Sequence, residues 1–271
     1  MEILLDFLYQ MLFSVGLIVC FGFLISLCRR TFVNMTGQAG CQILLVTGAV
    51  GTPVHELSHA LMCFIFGHRI EEIKLYQPRS TDGTLGYVNH SFKPKNLYHQ
   101  IGNFFIGIAP ILCGSGVLFL LMLLMAPDAY SMVSLSFEQI PAMSTSLADG
   151  DTYLSFFSLM WSVVTSVFHY TNMDSVWWWI FIVLALMISS HMELSGADIK
   201  GGLLGLGFLA GLVLAVDIIV GLISQAALDA VTNTITSFSL YIVGFLSISV
   251  IFCGLMVLVA FTVKGIRAIF H

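Results

Sequence analysis

The sequence predicts an all-α polytopic membrane protein, with about six transmembrane helices and a short cytoplasmic-side β-hairpin. Three observations lead there. Of the 271 residues, 58% are hydrophobic and only 9% charged, whereas a soluble globular domain averages about 25% charged. Six stretches, 3–28, 41–67, 99–126, 175–196, 201–224 and 236–263, approach the roughly 20 apolar residues that a bilayer crossing needs. Between the second and third, "RIEEIKLYQP" and "LGYVNHSF" flank "RSTDGT", whose Asp82-Gly83 is a strong hairpin-turn signal. Mean hydropathy is +0.96, and the net charge of −5 argues against a nucleic-acid partner.

The elements follow in order. Residues 3–28 carry Asp6 and lead to no small-residue cleavage site, so they read as a first span rather than a signal peptide. The loop 68–98 holds Arg69, Lys74, Arg79, Lys93 and Lys95; Lys200 follows the fourth span, and Lys264 and Arg267 follow the sixth. The positive-inside rule places these three regions in the cytoplasm. The segment 127–174 contains Asp128, Glu138, Asp149, Asp151 and Asp174 without a Lys or Arg, and faces outside with the connection near Asp229. Trp177, Trp178 and Trp179 then fall at the outer interface. Serines and threonines recur through 152–170, which reads as an interfacial or re-entrant helix. Six crossings put both termini inside and leave Arg29 and Arg30 outside, against the rule. Gly201, Gly205, Gly207 and Gly211 form two small-xxx-small steps for close helix packing. Asp6 and Asp217 read as packing or snorkelling acids. The six cysteines form no CxxC pair and read as small hydrophobes.

One span departs from this economy of charge. "GTPVHELSHALMCFIFGHRIEEIKLYQP" (51–78) places His55, Glu56 and His59 on a greasy helix. Each ionised group at mid-bilayer costs about 2.5–3.5 kcal/mol on insertion scales, so such groups are rare and usually functional. Positions four apart share a helical face, so His55 and His59 can bind one zinc while Glu56 reaches a water on it. That is the chemistry of peptide hydrolysis, with Glu56 as the base. Thr52-Pro53 reads as the start of a helical segment, with Gly48 and Gly51 loosening the backbone before it. A metzincin is excluded by Met62 and Ile65, and Glu71 and Glu72 lie too close for a gluzincin glutamate. The third ligand comes from elsewhere in the chain.

The pattern resembles the site-2 protease family of intramembrane zinc metalloproteases. His55, Glu56 and His59, then Gly67 and a strand, match that family's first motif. "IGNFFIGIAPILCGSG" (101–116) is similar to its next span, with Ala109-Pro110 in place of Gly-Pro. "HMELSGADIKGG" (191–202) has the spacing of its last motif, although His191 replaces an Asn and the prolines are absent. The resemblance implies Asp198 as the third zinc ligand, with His191 and Glu193 as the other donors in that stretch; read by itself, "SGADIKG" is also a helix N-cap with Asp198 in the first turn. The resemblance spans about 41–126 and 185–205. If so, Asp198 must fold back or sit below a broken helix to reach the metal, and Gly196 permits such a break.

The whole chain, 1–271, then reads as a single membrane-embedded metallopeptidase domain. Residues 1–40 are the first span and loop; 41–126 carry the HExxH span, the hairpin and the third span. Residues 127–174 form the external acidic loop, and 175–271 the three C-terminal spans with the third-ligand motif. The expected function is intramembrane cleavage of membrane-protein substrates within or near the bilayer, by a multi-pass plasma-membrane enzyme whose site faces the cytoplasm. The hairpin edge would pair with an unwound substrate, and Asn103 would hold the oxyanion or make an interhelical hydrogen bond. Two other readings stand beside it. One is a catalytically silent scaffold for partner transmembrane helices, which would not need Glu56. The other is a metal or solute transporter, for which internal repeats are expected and none is found.

Overall fold

The structure, a computed structural model, describes residues 2–80, 83–138, 150–169 and 173–269. The chain opens as one apolar rod: α1 (Glu2–Met11) passes through a π-helical turn (Leu12–Gly16) into α2 (Leu17–Thr36). Gly37, at φ +59°, turns the chain into α3 (Gln38–Ile65). Gly67, at φ +69°, then admits β1 (Arg69–Lys74), which pairs antiparallel with β2 (Tyr87–Ser91). A left-handed backbone at both points favours glycine, which lacks a Cβ. Asn96 caps α4 (Leu97–Met125) by accepting the N–H groups of Tyr98 and His99. α5 (Pro127–Glu138), α6 (Gly150–Val167), α7 (Val176–Ser189), α8 (Gly196–Ile223) and α9 (Gln225–Ile269) complete the fold.

Among the described residues, four helices are long and apolar enough to cross a membrane: Ile3–Thr36, Leu97–Met125, Gly196–Ile223 and Gln225–Gly265. They mark the chain as a membrane protein. The other two predicted spans differ. α3 has 28 residues, but His55, Glu56 and His59 dilute its apolar content. α7 has only 14 residues, about 21 Å at ~1.5 Å per residue, against a hydrocarbon core of about 30 Å. The segment read as an external loop is largely helical: α5 and α6 pack on each other, and α6 covers most of the predicted interfacial helix. Asp82 of the predicted turn and Asp149 lie outside the described residues.

The helices run in an order that alternation of six spans does not give. α1–α2 lies parallel to α9: Asp6 meets Gln225, Gln10 meets Thr232, and Phe32 clusters with Ala260. α8 runs antiparallel to that pair, with Gln10 on Asp217 and Gly22 beside Leu194. Arg29 and Arg30 therefore sit toward the Lys264 end of α9, not opposite it, and Arg29 pairs with Glu193. Along α4 the chain keeps one direction across the break between α7 and α8. Met192 lies on Gly114, Asp198 on Gly107 and Gly205 on Phe104.

Only part of the predicted glycine packing is used. A Cβ on Gly205 would stand 2.3 Å from the Phe104 nitrogen, whereas Gly201, Gly207 and Gly211 face open space. Gly202, not singled out by the spacing, completes the close approach to Gly107. The main core joins α4, α6, α7 and α9 around Leu118, Met122, Phe181 and Phe252; a second cluster joins Phe21, Ile111 and Leu246.

The hairpin strands are shorter than predicted, and beyond them the chain folds back along α3. Tyr76 Oη donates to the Leu45 carbonyl at 2.5 Å. Gly86 lies so close to Thr52 and Glu56 that an added Cβ would meet the Glu56 Oε1 at 2.9 Å. The hairpin thus covers the motif-bearing face of α3.

Candidate metal centre

α3 delivers His55 and His59 to one face, as their four-residue spacing requires. Their Nε2 atoms are 3.1 Å apart. The first turn of α8 brings Asp198 to them: its Oδ1 is 3.3 Å from His59 Nε2, and its Oδ2 is 4.0 Å from His55 Nε2. One donor atom from each residue lies within 4.8 Å of the other two. A tetrahedral site with ligand bonds of about 2.0–2.1 Å has edges of about 3.3 Å, so two of the three separations already fit a metal ion.

The backbone fixes how the rings present themselves. His55 Nδ1–H donates to the His191 carbonyl at 2.7 Å, and His59 Nδ1–H donates to the Ile106 carbonyl at 2.8 Å. A carbonyl only accepts, so both protons sit on Nδ1 and both Nε2 lone pairs face inward. Lone pairs at that separation, with a carboxylate oxygen beside them, form a set that a cation can hold together. Both carbonyls are available for a structural reason. His191 lies past the end of α7, so its oxygen has no helical duty. Ile106 is inside α4, but its helical partner four residues on is Pro110, which has no N–H.

Asp198 has two roles at once. Its Oδ2 accepts the Ser195 N–H at 2.8 Å while Ser195 Oγ accepts the Asp198 N–H at 3.1 Å, a capping box that starts α8. The cap turns Oδ1 toward His59. The expected break in the fourth predicted span is therefore present, and it supplies the cap that aims the carboxylate. His191 does not converge on the site through its ring, whose Nε2 lies 3.0 Å from Thr47 Oγ1. Glu193 is engaged by Arg29.

Glu56 is 5% exposed and opens on the same cleft, of about 540 Å³, as His55, His59 and Asp198. Among the described residues no hydrogen-bond donor occupies its carboxylate. The cleft is walled by α3, by Tyr87–His90 of the hairpin, by Asn103 and Ile106 of α4, and by Ala197 and Asp198. No interhelical hydrogen bond holds the Asn103 side chain among the described residues, and it lines the cleft instead. A separate apolar groove between α2 and α8 ends at Asp198 and Gly107.

Two expectations about α3 change. Thr52-Pro53 does not begin a helical segment, because α3 runs unbroken from Gln38 with Pro53 inside it. Gly48 and Gly51 are sites of close approach: a Cβ on Gly51 would lie 2.3 Å from the Met187 carbonyl and 2.6 Å from the His191 ring. The sequence reading did not identify Ile106, Pro110 or Gly86 as parts of the site. The signal for the first two was a proline four residues after a carbonyl needed elsewhere. No protein-family model, curated protein or solved structure matches the chain.

Proposed function

We propose that the chain is an intramembrane zinc metalloendopeptidase of the site-2 protease type, with His55, His59 and Asp198 as the metal ligands and Glu56 as the catalytic base. The observation that carries this reading is the convergence of two oriented imidazoles and a capped carboxylate beside a buried, unengaged glutamate. Zinc held by these three residues would supply Lewis acidity, acidifying water and polarising a peptide carbonyl.

The remaining steps belong to the chain itself. Glu56 takes a proton from the attacking water as its oxygen bonds to the carbonyl carbon. It returns that proton to the leaving nitrogen as the C–N bond breaks. Asn103 donates to the oxygen on which negative charge develops. A membrane helix hides its own amides in internal hydrogen bonds, so the substrate must unwind locally. Tyr87–Asn89 of β2 line the cleft, and we assign β2, rather than the outer strand β1, as the edge that pairs with the unwound segment. The apolar groove between α2 and α8 offers a substrate helix a lipid-side approach to Asp198. In this reading the substrate is another membrane protein, and the enzyme is a multi-pass protein of the cell membrane with its site toward the cytoplasm.

The test compares wild type with Glu56→Gln, using purified protein and a model membrane substrate. Both are expected to retain one zinc per chain, while cleavage falls by about 100-fold or more with the base removed. Equal cleavage by both forms, or wild-type protein without zinc, would overturn the assignment.

A further inference from the structure

At the opposite end of α8 a polar seam runs between α1, α8 and α9. Asp6 and Gln10 on α1 and Ser14 in the π-helical turn recur every four residues, and Gln225, Asp229 and Thr232 do nearly so on α9, so each set follows one side of its rod. Gln10 Nε2 donates to Asp217 Oδ1 at 3.1 Å and to Thr232 Oγ1 at 2.9 Å. Gln225 Nε2 bridges Asp6 and Asp229 at 3.3 and 3.1 Å. Asp229 is exposed and Asp6 half-buried, while Gln10 and Asp217 are 0% and 1% exposed. The seam therefore leads inward from a mouth of two carboxylates to a buried third.

Two buried acceptors there have no partner among the described residues: Gln10 Oε1 and Asp217 Oδ2. Oxygens left unpaired in an apolar interior are costly, and a buried carboxylate is more so. Residues 1–28 and 201–263 contain no Lys, Arg or His, so these spans offer no side chain to neutralise Asp217. A proton on Asp217 Oδ2 would make it a donor toward Gln10 Oε1, beside the existing Nε2–Oδ1 bond, but a carboxyl kept neutral gives the acidic mouth of Asp6 and Asp229 no role. A cation can be shared, because Oε1 belongs to the amide whose nitrogen already touches Asp217. The donors are all hard oxygens, without thiol or imidazole, which selects a hard cation over zinc or copper. A single buried carboxylate balances one positive charge, and calcium takes 6–8 oxygens, typically with several carboxylates. The π-helical turn immediately after Gln10 is an irregularity that recurs at functional sites.

We propose that Asp217, Gln10 and Thr232 form a binding site for a hard monovalent cation, entered past Asp6 and Asp229. It is separate from the zinc site, since Asp198 lies five turns away along α8, about 28 Å at ~1.5 Å per residue. The proposal does not depend on peptidase activity, because its readout is ion binding. Radiolabelled sodium and rubidium are titrated onto the purified full chain in detergent, with choline as the inert cation. Wild type is expected to bind one ion per chain saturably and to melt several degrees higher in that salt than in choline chloride. Asp217→Asn is expected to abolish both effects without changing zinc content, and Asp229→Asn only to weaken binding. Thr232→Val, which keeps the shape and removes one oxygen, guards against a misfolded Asp217 variant and is expected to lower affinity. The proposal is overturned if wild type binds neither ion, or if Asp217→Asn binds as wild type does. It is also overturned if Asp217→Asn melts at or above the wild-type temperature in every salt, the mark of a carboxyl kept neutral by a proton.

Discussion

His59 works with a carbonyl that a proline has set free. The Ile106 oxygen can take the His59 Nδ1–H because Pro110 makes no competing helical bond. Pro110→Ala should return an N–H to the Ile106 carbonyl, loosening the ring it orients. Partners that orient metal-ligating histidines are worth about 10–100-fold in metal affinity. The variant should therefore lose zinc to a competing chelator at roughly tenfold lower chelator concentration; retention equal to wild type would refute this role. His55, Glu56 and His59 were legible in the sequence because an i, i+4 spacing is a local property of a helix. The part His191 plays was not, since it acts through a backbone oxygen that no residue type advertises.

α8 shows how a motif can be right in kind and wrong in detail. Glycine spacing announced close packing, but the spacing alone does not say which glycines face α4. Gly205 does and Gly207 does not. Gly205→Ala should force α4 and α8 apart and cost about 1–3 kcal/mol, while Gly207→Ala should leave the melting temperature unchanged; thermal unfolding in detergent compares them. The hairpin carries a second device. His68 Nε2–H donates to the His99 carbonyl at 2.9 Å, so its Nδ1 accepts from His90 Nδ1–H at 3.1 Å. Burial pushes both imidazoles below their ordinary value, and for His90 the neighbouring His68 adds to it. The fold thus favours the neutral rings. Their contribution is complete above the unfolded value of about 6.5 and is lost as pH falls through the lower folded values. Proteolysis of the 69–92 segment should accelerate on acidification below about pH 6.5, and His90→Gln should flatten that response.

At the scale of the whole molecule, the parallel course of α1–α2 and α9 changes the membrane topology. The Arg29-Arg30 pair, which contradicts the positive-inside rule when six spans alternate, joins the side that bears Lys264. Accessibility reporters placed at the Gly37 turn and after Lys264 should respond from the same side of the membrane. Opposite responses would restore the alternating arrangement.

From the sequence alone came the membrane class, the four longest apolar helices, the hairpin's existence and the His55–Glu56–His59 face. Each depends on composition or on spacing within one or two helical turns. Only the tertiary structure decided that Asp198 meets those histidines and that α2 runs with α9. These outcomes rest on contacts between segments more than a hundred residues apart, where packing of specific surfaces, not periodicity, selects the partner.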